Sequence, residues 1–211
     1  MSLRQEKKLQ TRKALLEAAM NLTYDGRGFS SISLREITRE AGVVPAAFYR
    51  HFPSVDELGL ALVDEVGQRL RHIMREARQV TSDAGDVAIR TSVRGYVNYV
   101  RANRKTFAFI VRERLGGPPV VRESIANEVD FFVGELTRDL RMFPPFADMA
   151  EDDRHMIAHL TVHTVFYLAA DVLELTEDQS AQEEELVART IKQLRLIFLG
   201  ARQWRPSRVR I

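Results

Sequence analysis

The chain contains no cysteine. Disulfides, thiol catalysis and cysteine-based zinc sites are therefore excluded, and the composition fits a reducing compartment. Proline is scarce, and its seven residues (Pro45, Pro53, Pro118, Pro119, Pro144, Pro145 and Pro206) sit at joints between long stretches of helical periodicity. No apolar run approaches the ~20 residues that a membrane-spanning helix needs. The charged N-terminus lacks the apolar core of a signal peptide. A soluble, cytoplasmic protein with no membrane partner is expected. Sustained strand alternation, internal repeats and low-complexity segments are also missing, which points to an all-α fold. There is no glycine-rich phosphate loop, no Gly-x-Ser-x-Gly elbow and no nucleophile–base pairing, so neither an enzyme nor a cofactor is expected.

What is present is unevenly placed. The 211 residues carry a net charge of only +2, with a pI near 9.0. The first fifty hold Arg4, Lys7, Lys8, Arg12, Lys13, Arg27, Arg35, Arg39 and Arg50 against Glu6, Glu17, Asp25, Glu36 and Glu40. From Asp171 to Glu185 every charge is negative: Asp171, Glu174, Glu177, Asp178, Glu183, Glu184 and Glu185. A basic head and an acidic distal region suit a protein that meets nucleic acid with one end.

The stretch from Ser33 to Phe52 predicts two short helices joined by a tight turn. Ser33 precedes the first, with Glu36 three residues on, the pattern of a capping box. Leu34, Ile37 and Ala41 share one narrow apolar face. Gly42 stops that helix, because glycine takes a left-handed conformation cheaply. Pro45 starts the next, where its missing N–H costs nothing. Phe48 and Phe52 bury on one side, which leaves Ala46, Ala47, Tyr49, Arg50 and His51 wholly or partly outside the core. A helix of about one and a half turns with small residues, a tyrosine and two basic groups suits the DNA major groove.

About nine helices are expected in all. The first runs from about Arg4 to Tyr24, with Leu15, Ala18, Ala19 and Leu22 on one face, and Phe29 and Ile32 tuck beneath the three-helix head. A fourth opens at a second capping box, Ser54 and Glu57, and continues through Leu58, Leu62, Val66, Leu70, Ile73 and Ala77 to about Val80. It is long enough to belong to both head and body, and Gly59 and Gly67 along it permit close approach or slight bending. After a polar break at Thr81 to Gly85, helices are expected near Val87–Ala102 and Lys105–Leu115, and another follows a turn at Gly116-Gly117-Pro118-Pro119 and runs to about Met142, ended by Pro144-Pro145. An eighth, near Asp152–Leu175, is apolar on most sides, which calls for burial against a partner subunit. A ninth lies near Ala181–Trp204, followed by a basic tail from Arg205 to Ile211. The predicted domains are a helix-turn-helix DNA-binding domain at residues 1–53, extending into the fourth helix to about residue 70, and an effector-binding and dimerisation domain at residues 54–211.

Thr11-Arg12, Ser33-Leu-Arg-Glu-Ile37, Glu40-Ala-Gly-Val43 and Phe48-Tyr-Arg-His-Phe52 followed by Val55-Asp-Glu-Leu58 resemble the TetR family of transcriptional repressors. Further matches, Val63-Asp-Glu65, Met74-Arg-Glu-Ala-Arg78, Ile89-Arg-Thr-Ser-Val93 and Arg112-Glu-Arg114, resemble the regulators of unsaturated fatty acid synthesis FabR and DesT. The resemblance implies a two-fold homodimer on palindromic double-stranded operator DNA, with one recognition helix in each of two successive major grooves. Tyr49 and His51 match family positions that touch phosphates or a thymine methyl. Pro45, Ala46 and Ala47 would allow close approach, Arg35 is the leading candidate for a base or phosphate contact, Ser33 and its helix N-terminus offer amides to a phosphate, and Arg12 grips the flanking backbone with Lys13. Each has a plainer alternative: Tyr49 as a half-buried core aromatic, His51 as a helix C-terminal cap, Arg35 as a solvated arginine.

The resemblance also implies a long-chain acyl thioester effector, carried on coenzyme A or acyl carrier protein, and control of fatty acid synthesis or desaturation genes. Tyr96, Tyr99, Phe107, Phe109, Phe132 and Phe166 are candidates to line an apolar tunnel, with Arg112 and Arg114 near its polar end. Plain packing is the alternative for each. A repressor of an efflux or catabolic operon with another hydrophobic effector is the second functional reading. Dimerisation is expected through the eighth and ninth helices. His155, His159 and His163 form one row on the eighth helix; two histidines at i, i+4 can ligate zinc, but no cysteine or clearly placed carboxylate completes a set, and no metal is expected.

Overall fold

The computed structural model describes residues 2–24, 26–80, 86–176 and 178–204, with the side chains of residues 72–80 set aside. The expectations for Ile73, Ala77, the polar break at 81–85 and the basic tail at 205–211 therefore lie outside the described residues, as do Asp25 and Glu177. Among the described residues every regular element is helical: α1 Leu3–Tyr24, a single 3-10 turn at Phe29–Ser31, α2 Leu34–Glu40, α3 Pro45–Phe48, α4 Val55–Val80, α5 Asp86–Ala102, α6 Arg104–Gly116, α7 Pro119–Leu140, α8 Pro144–Ala147, α9 Glu151–Glu174 and α10 Ser180–Arg202. The all-α expectation holds. The helix count differs from about nine because of α8: Pro144 does not merely terminate what precedes it but occupies the first turn of a new short helix behind Phe143, where proline is pre-organised. The predicted eighth and ninth helices are thus α9 and α10.

The chain forms two compact units. The first comprises residues 1–70 and 104–126. Its core holds Leu15, Ala18, Phe29, Ile32, Ile37, Phe48, Phe52, Leu58 and Leu62, joined by Phe107, Phe109 and Ile110 of α6 and by Val121 and Ile125 of α7. Helix α1 packs on α2 and on α6, and it buries Leu16 as well as Leu15, Ala18 and Ala19 of the face expected of it, with Leu22 half-buried. Two polar side chains buried here, Thr23 and Thr38, return their hydroxyls to carbonyls of their own helices: Thr23 to Ala19 at 3.1 Å and Thr38 to Leu34 at 3.0 Å. That removes the cost of an unpaired buried hydroxyl.

The second unit comprises residues 71–103 and 127–211. Helices α5, α9 and α10 pack on one another, and α8 touches α10. Val133, Leu140, Phe146, Ile157, Ala158 and Ala201 form one apolar cluster, with Phe198 tilted against Phe146 at 5.9 Å. Buried Arg154 turns its guanidinium onto the carbonyls of Phe146, Ala147 and Met149. It thereby adds to the turn that follows α8, in which the Met149 N–H returns to the Phe146 carbonyl at 3.2 Å, and helps to satisfy the carbonyls at that helix end. Three acids of the stretch from Asp171 to Glu185 are matched by arginine: Arg94 grips Glu184 at 2.7 and 2.8 Å, Arg101 pairs with Glu183, and Arg189 with Asp171. On length and composition alone α9 could cross a membrane, with a mean hydropathy of 1.4 over its most apolar window. It nevertheless packs on α5 and α10 and carries His155 and His159 on its exposed side.

Candidate nucleic-acid interface

The α2–turn–α3 element is built by local chemistry. The Ser33 N–H donates to Glu36 Oε2 at 2.9 Å, and the Glu36 N–H donates to Ser33 Oγ at 3.3 Å. The capping box is therefore complete. Arg27 bridges to the same carboxylate at 2.9 Å, and these hydrogen bonds, Arg27 first, draw Glu36 down to about 2. Gly42 has φ +66°, the left-handed conformation that a side chain would resist. Its turn is closed by the Val43 N–H donating to the Thr38 carbonyl at 2.9 Å. Pro45 opens α3, which is four residues long, shorter than the turn and a half expected. The chain then continues in tight turns, with the His51 and Phe52 amides both returning to the Phe48 carbonyl.

This short helix is anchored on one side only. Phe48 is fully buried and Phe52 nearly so, their rings 5.7 Å apart. Tyr49 stands edge-on to Phe48 at 5.7 Å yet remains 63 % exposed. That removes the reading of Tyr49 as a half-buried core residue. Pro45, Ala46 and Arg50 are exposed, Ala47 and His51 half-buried, and Arg35 projects from α2 into solvent. Val44, just before α3, is 67 % exposed, an apolar side chain at the rim that the sequence reading missed. A run of small and apolar side chains flanked by a free tyrosine and arginines matches what base edges and thymine methyls accept.

Arg12 is half-buried, its guanidinium 5.3 Å from the centre of the Phe52 ring. Ser33 is exposed, but its N–H and Oγ both serve Glu36. The predicted phosphate contact there would have to compete with a charged carboxylate. His51 is held below its ordinary value, by burial first and then by Lys8, Arg12 and Arg50.

The eight candidate effector residues divide between the units. Phe107 and Phe109 are buried in the first, with Phe109 edge-on to Phe29 at 5.6 Å. Arg112 donates to the Thr23 and Arg27 carbonyls, the latter at 3.0 Å, and Arg114 is half-buried. In the second unit Tyr96 is buried, which pushes its hydroxyl pKa upward. Tyr99, Phe132 and Phe166 are half-buried. Two open surface depressions stand out, one lined by Gln5, Lys8, Leu9, Arg12 and His51, the other by Glu185, Arg189, Lys192, Gln193 and Leu196. Neither includes a candidate effector residue. His159 stacks on His163 at 4.1 Å. Among the described residues no cluster of three or more metal-ligating side chains is found.

The family model described as "Bacterial regulatory proteins, tetR family" matches residues 15–62. That described as "Tetracyclin repressor-like, C-terminal domain" matches residues 86–199, more than half of the chain. Among solved structures the chain is similar to SCO4454, a TetR-family transcriptional regulator from Streptomyces coelicolor (22% identity, 92% of this chain and 96% of that one, TM-score 0.68). It is also similar to Salmonella enterica GusR (22%, 89% and 94%, TM-score 0.69). A transcriptional regulator from Aquifex aeolicus matches at 16% identity over 89% and 99% of the two chains, with a TM-score of 0.65. At these identities the structural likeness speaks for the fold alone.

Proposed function

The chain belongs to the tetR family of bacterial regulatory proteins, DNA-binding regulators rather than enzymes, and from that premise we propose that it is a repressor that reads a palindromic operator with α3. The observation that carries this reading is the exposed set Val44, Ala46, Tyr49 and Arg50 on a helix pinned from behind by Phe48 and Phe52. Arg35 and Arg12 flank it and supply phosphate or base contacts. The head corresponds to residues 1–53, with the start of α4, and residues 54–211 form the effector and dimerisation part.

Two copies associate through α9 and α10. Exposed Met156, Leu160 and Tyr167 on α9 and Leu196 and Leu199 on α10 support this, because so much apolar surface on two adjacent helices is costly in water. A two-fold dimer would present its recognition helices ~34–36 Å apart, one turn of B-DNA.

The effector is a long-chain acyl thioester, and the regulated genes serve fatty acid synthesis or desaturation. This rests on the resemblance to FabR and DesT and on Tyr96, Tyr99, Phe132 and Phe166 in the second unit, since an acyl chain offers ~0.8 kcal/mol per buried CH₂ and little else. Arg112, a candidate for the polar end, is engaged with backbone carbonyls of its own unit. A thermal-shift series over acyl-coenzyme A chain lengths, with operator affinity measured for matched saturated and unsaturated chains, tests the reading. Stabilisation that grows with chain length, and opposite effects of the two chain types, are expected. No shift with any acyl thioester would move the effector to another hydrophobic molecule, as in an efflux or catabolic repressor.

A further inference from the structure

Helix α9 buries one side only. Its buried line runs through Arg154, Ala158, Thr161, Leu168 and Val172, and at 3.6 residues per turn His159 and His163 fall on the opposite side. His159 is exposed there and His163 half-buried, and their rings stack with centroids 4.1 Å apart. Residues four apart on a helix are neighbours, and two imidazoles so placed can grip one zinc-type cation. Exposed Met156 and Leu160 each precede one of the histidines by three residues, and exposed Tyr167 follows His163 by four. The pair thus stands inside the apolar face that α9 turns to solvent. The charge around it suits a cation. Helix α9 holds Glu151, Asp152, Asp153, Asp171 and Glu174 against a single arginine and no lysine, and that arginine, Arg154, is engaged with carbonyls on the buried side. Within one chain no third ligand joins the pair among the described residues, so a tetrahedral zinc shell needs two ligands from outside the chain.

We propose that His159 and His163, together with the same two histidines of a second copy, hold one divalent cation of zinc type on the two-fold axis of the dimer. The proposal rests on the reading of α9 and α10 as the dimer contact and adds to it a metal clasp between the subunits. A two-fold contact pairs a patch with itself, so groups near the middle of the patch meet their own copies. His163 lies at the midpoint of α9, which runs from Glu151 to Glu174. Imidazole nitrogens suit zinc, and four of them fill its tetrahedral shell. To ligate, the two rings turn from their stack until one nitrogen of each points at the same centre. Each subunit supplies half of the shell, so the cation favours the dimer over the separate chains.

The test uses the full chain, stripped of metal with a chelator and then titrated with zinc chloride by calorimetry. Cobalt(II) serves as a visible probe of the coordination geometry. One zinc per two chains is expected, with the intense absorption of tetrahedral cobalt. Sedimentation should show a dimer before zinc is added, and its dissociation constant should fall about tenfold with zinc at about ten times its own Kd. His159→Asn with His163→Asn should keep the dimer and the circular dichroism spectrum but lose both the zinc and the tightening. His155→Asn, outside the stacked pair, should keep all of them. A dimer that takes up no zinc, takes up one per chain, keeps its zinc after the double substitution or loses it in His155→Asn overturns this site and leaves the dimer reading standing. A chain that stays monomeric with and without zinc overturns both.

Discussion

The backbone N–H of Phe29 donates to Glu113 Oε1 at 3.0 Å, joining residues 84 apart in the chain. Glu113 is fully buried, and its Oε2 has no hydrogen-bond partner among the described residues. Burial pushes the carboxyl above the ordinary glutamate range, with the Phe29 N–H and Arg112 opposing it. The sign follows: a raised folded-state value means a contribution to stability that is complete below the ordinary value and lost as pH rises through the raised one. Glu113→Gln keeps an acceptor for Phe29 and should show a flatter dependence of stability on pH between about 5 and 8 in urea unfolding. Glu113→Leu strands the amide and should cost ~1–3 kcal/mol. Equal pH profiles for wild type and Glu113→Gln would contradict this account.

At Gly59 the α4 backbone lies close against Phe29 and Val121. A Cβ there would stand 2.8 Å from Phe29 Cε1 and 2.9 Å from Val121 Cγ2, both side chains of the buried core. Replacing glycine by alanine in a helix ordinarily gains ~1 kcal/mol, but overpacking a core costs ~1–3 kcal/mol. With two buried neighbours that have nowhere to go, the clash wins. Gly59→Ala should lower the unfolding midpoint, and a raised midpoint would show that Phe29 yields.

Tyr49 stands edge-on to the buried Phe48 ring and is otherwise largely exposed. Tyr49→Ala should leave the fold and the oligomeric state unchanged and weaken operator binding by ~1–3 kcal/mol, the size of one good groove contact. Undiminished affinity in a salt-matched gel shift would take Tyr49 out of the interface.

Leu160 of α9 and Leu196 of α10 are exposed in the single chain. If these helices form the dimer contact, Leu160→Glu with Leu196→Glu should shift sedimentation from dimer toward monomer at micromolar concentration, without loss of helicity. A double variant that remains fully dimeric places the interface elsewhere.

The recognition element was readable in the sequence because its determinants are local. Ser33 and Glu36 are three residues apart, Gly42 supplies its own left-handed turn, and Pro45 needs no partner to start a helix. Tyr49 and Ala46 followed by elimination once Phe48 and Phe52 were assigned to the core. What escaped depends on contacts between distant segments. The Glu113–Phe29 bond and the guanidinium of Arg154 on three carbonyls have no periodicity to announce them. Helix α8 was missed because two prolines read equally well as an end or a beginning. For the aromatic residues of α6, helical spacing shows which face is apolar but not whether a neighbour or a ligand covers it. Lys8 was visible only as one charge among many until folding set it beside Arg12 and His51.

The most direct measurement is competition: the full-length chain on a labelled duplex that it has enriched from a random pool, challenged with unlabelled random-sequence duplex at about 150 mM salt. The account predicts a preference of about 10³ or more for the enriched sequence, the usual margin of a specific reader over its own non-specific binding. Equal displacement by both duplexes would contradict it, because α3 would then contribute charge without selecting among base pairs.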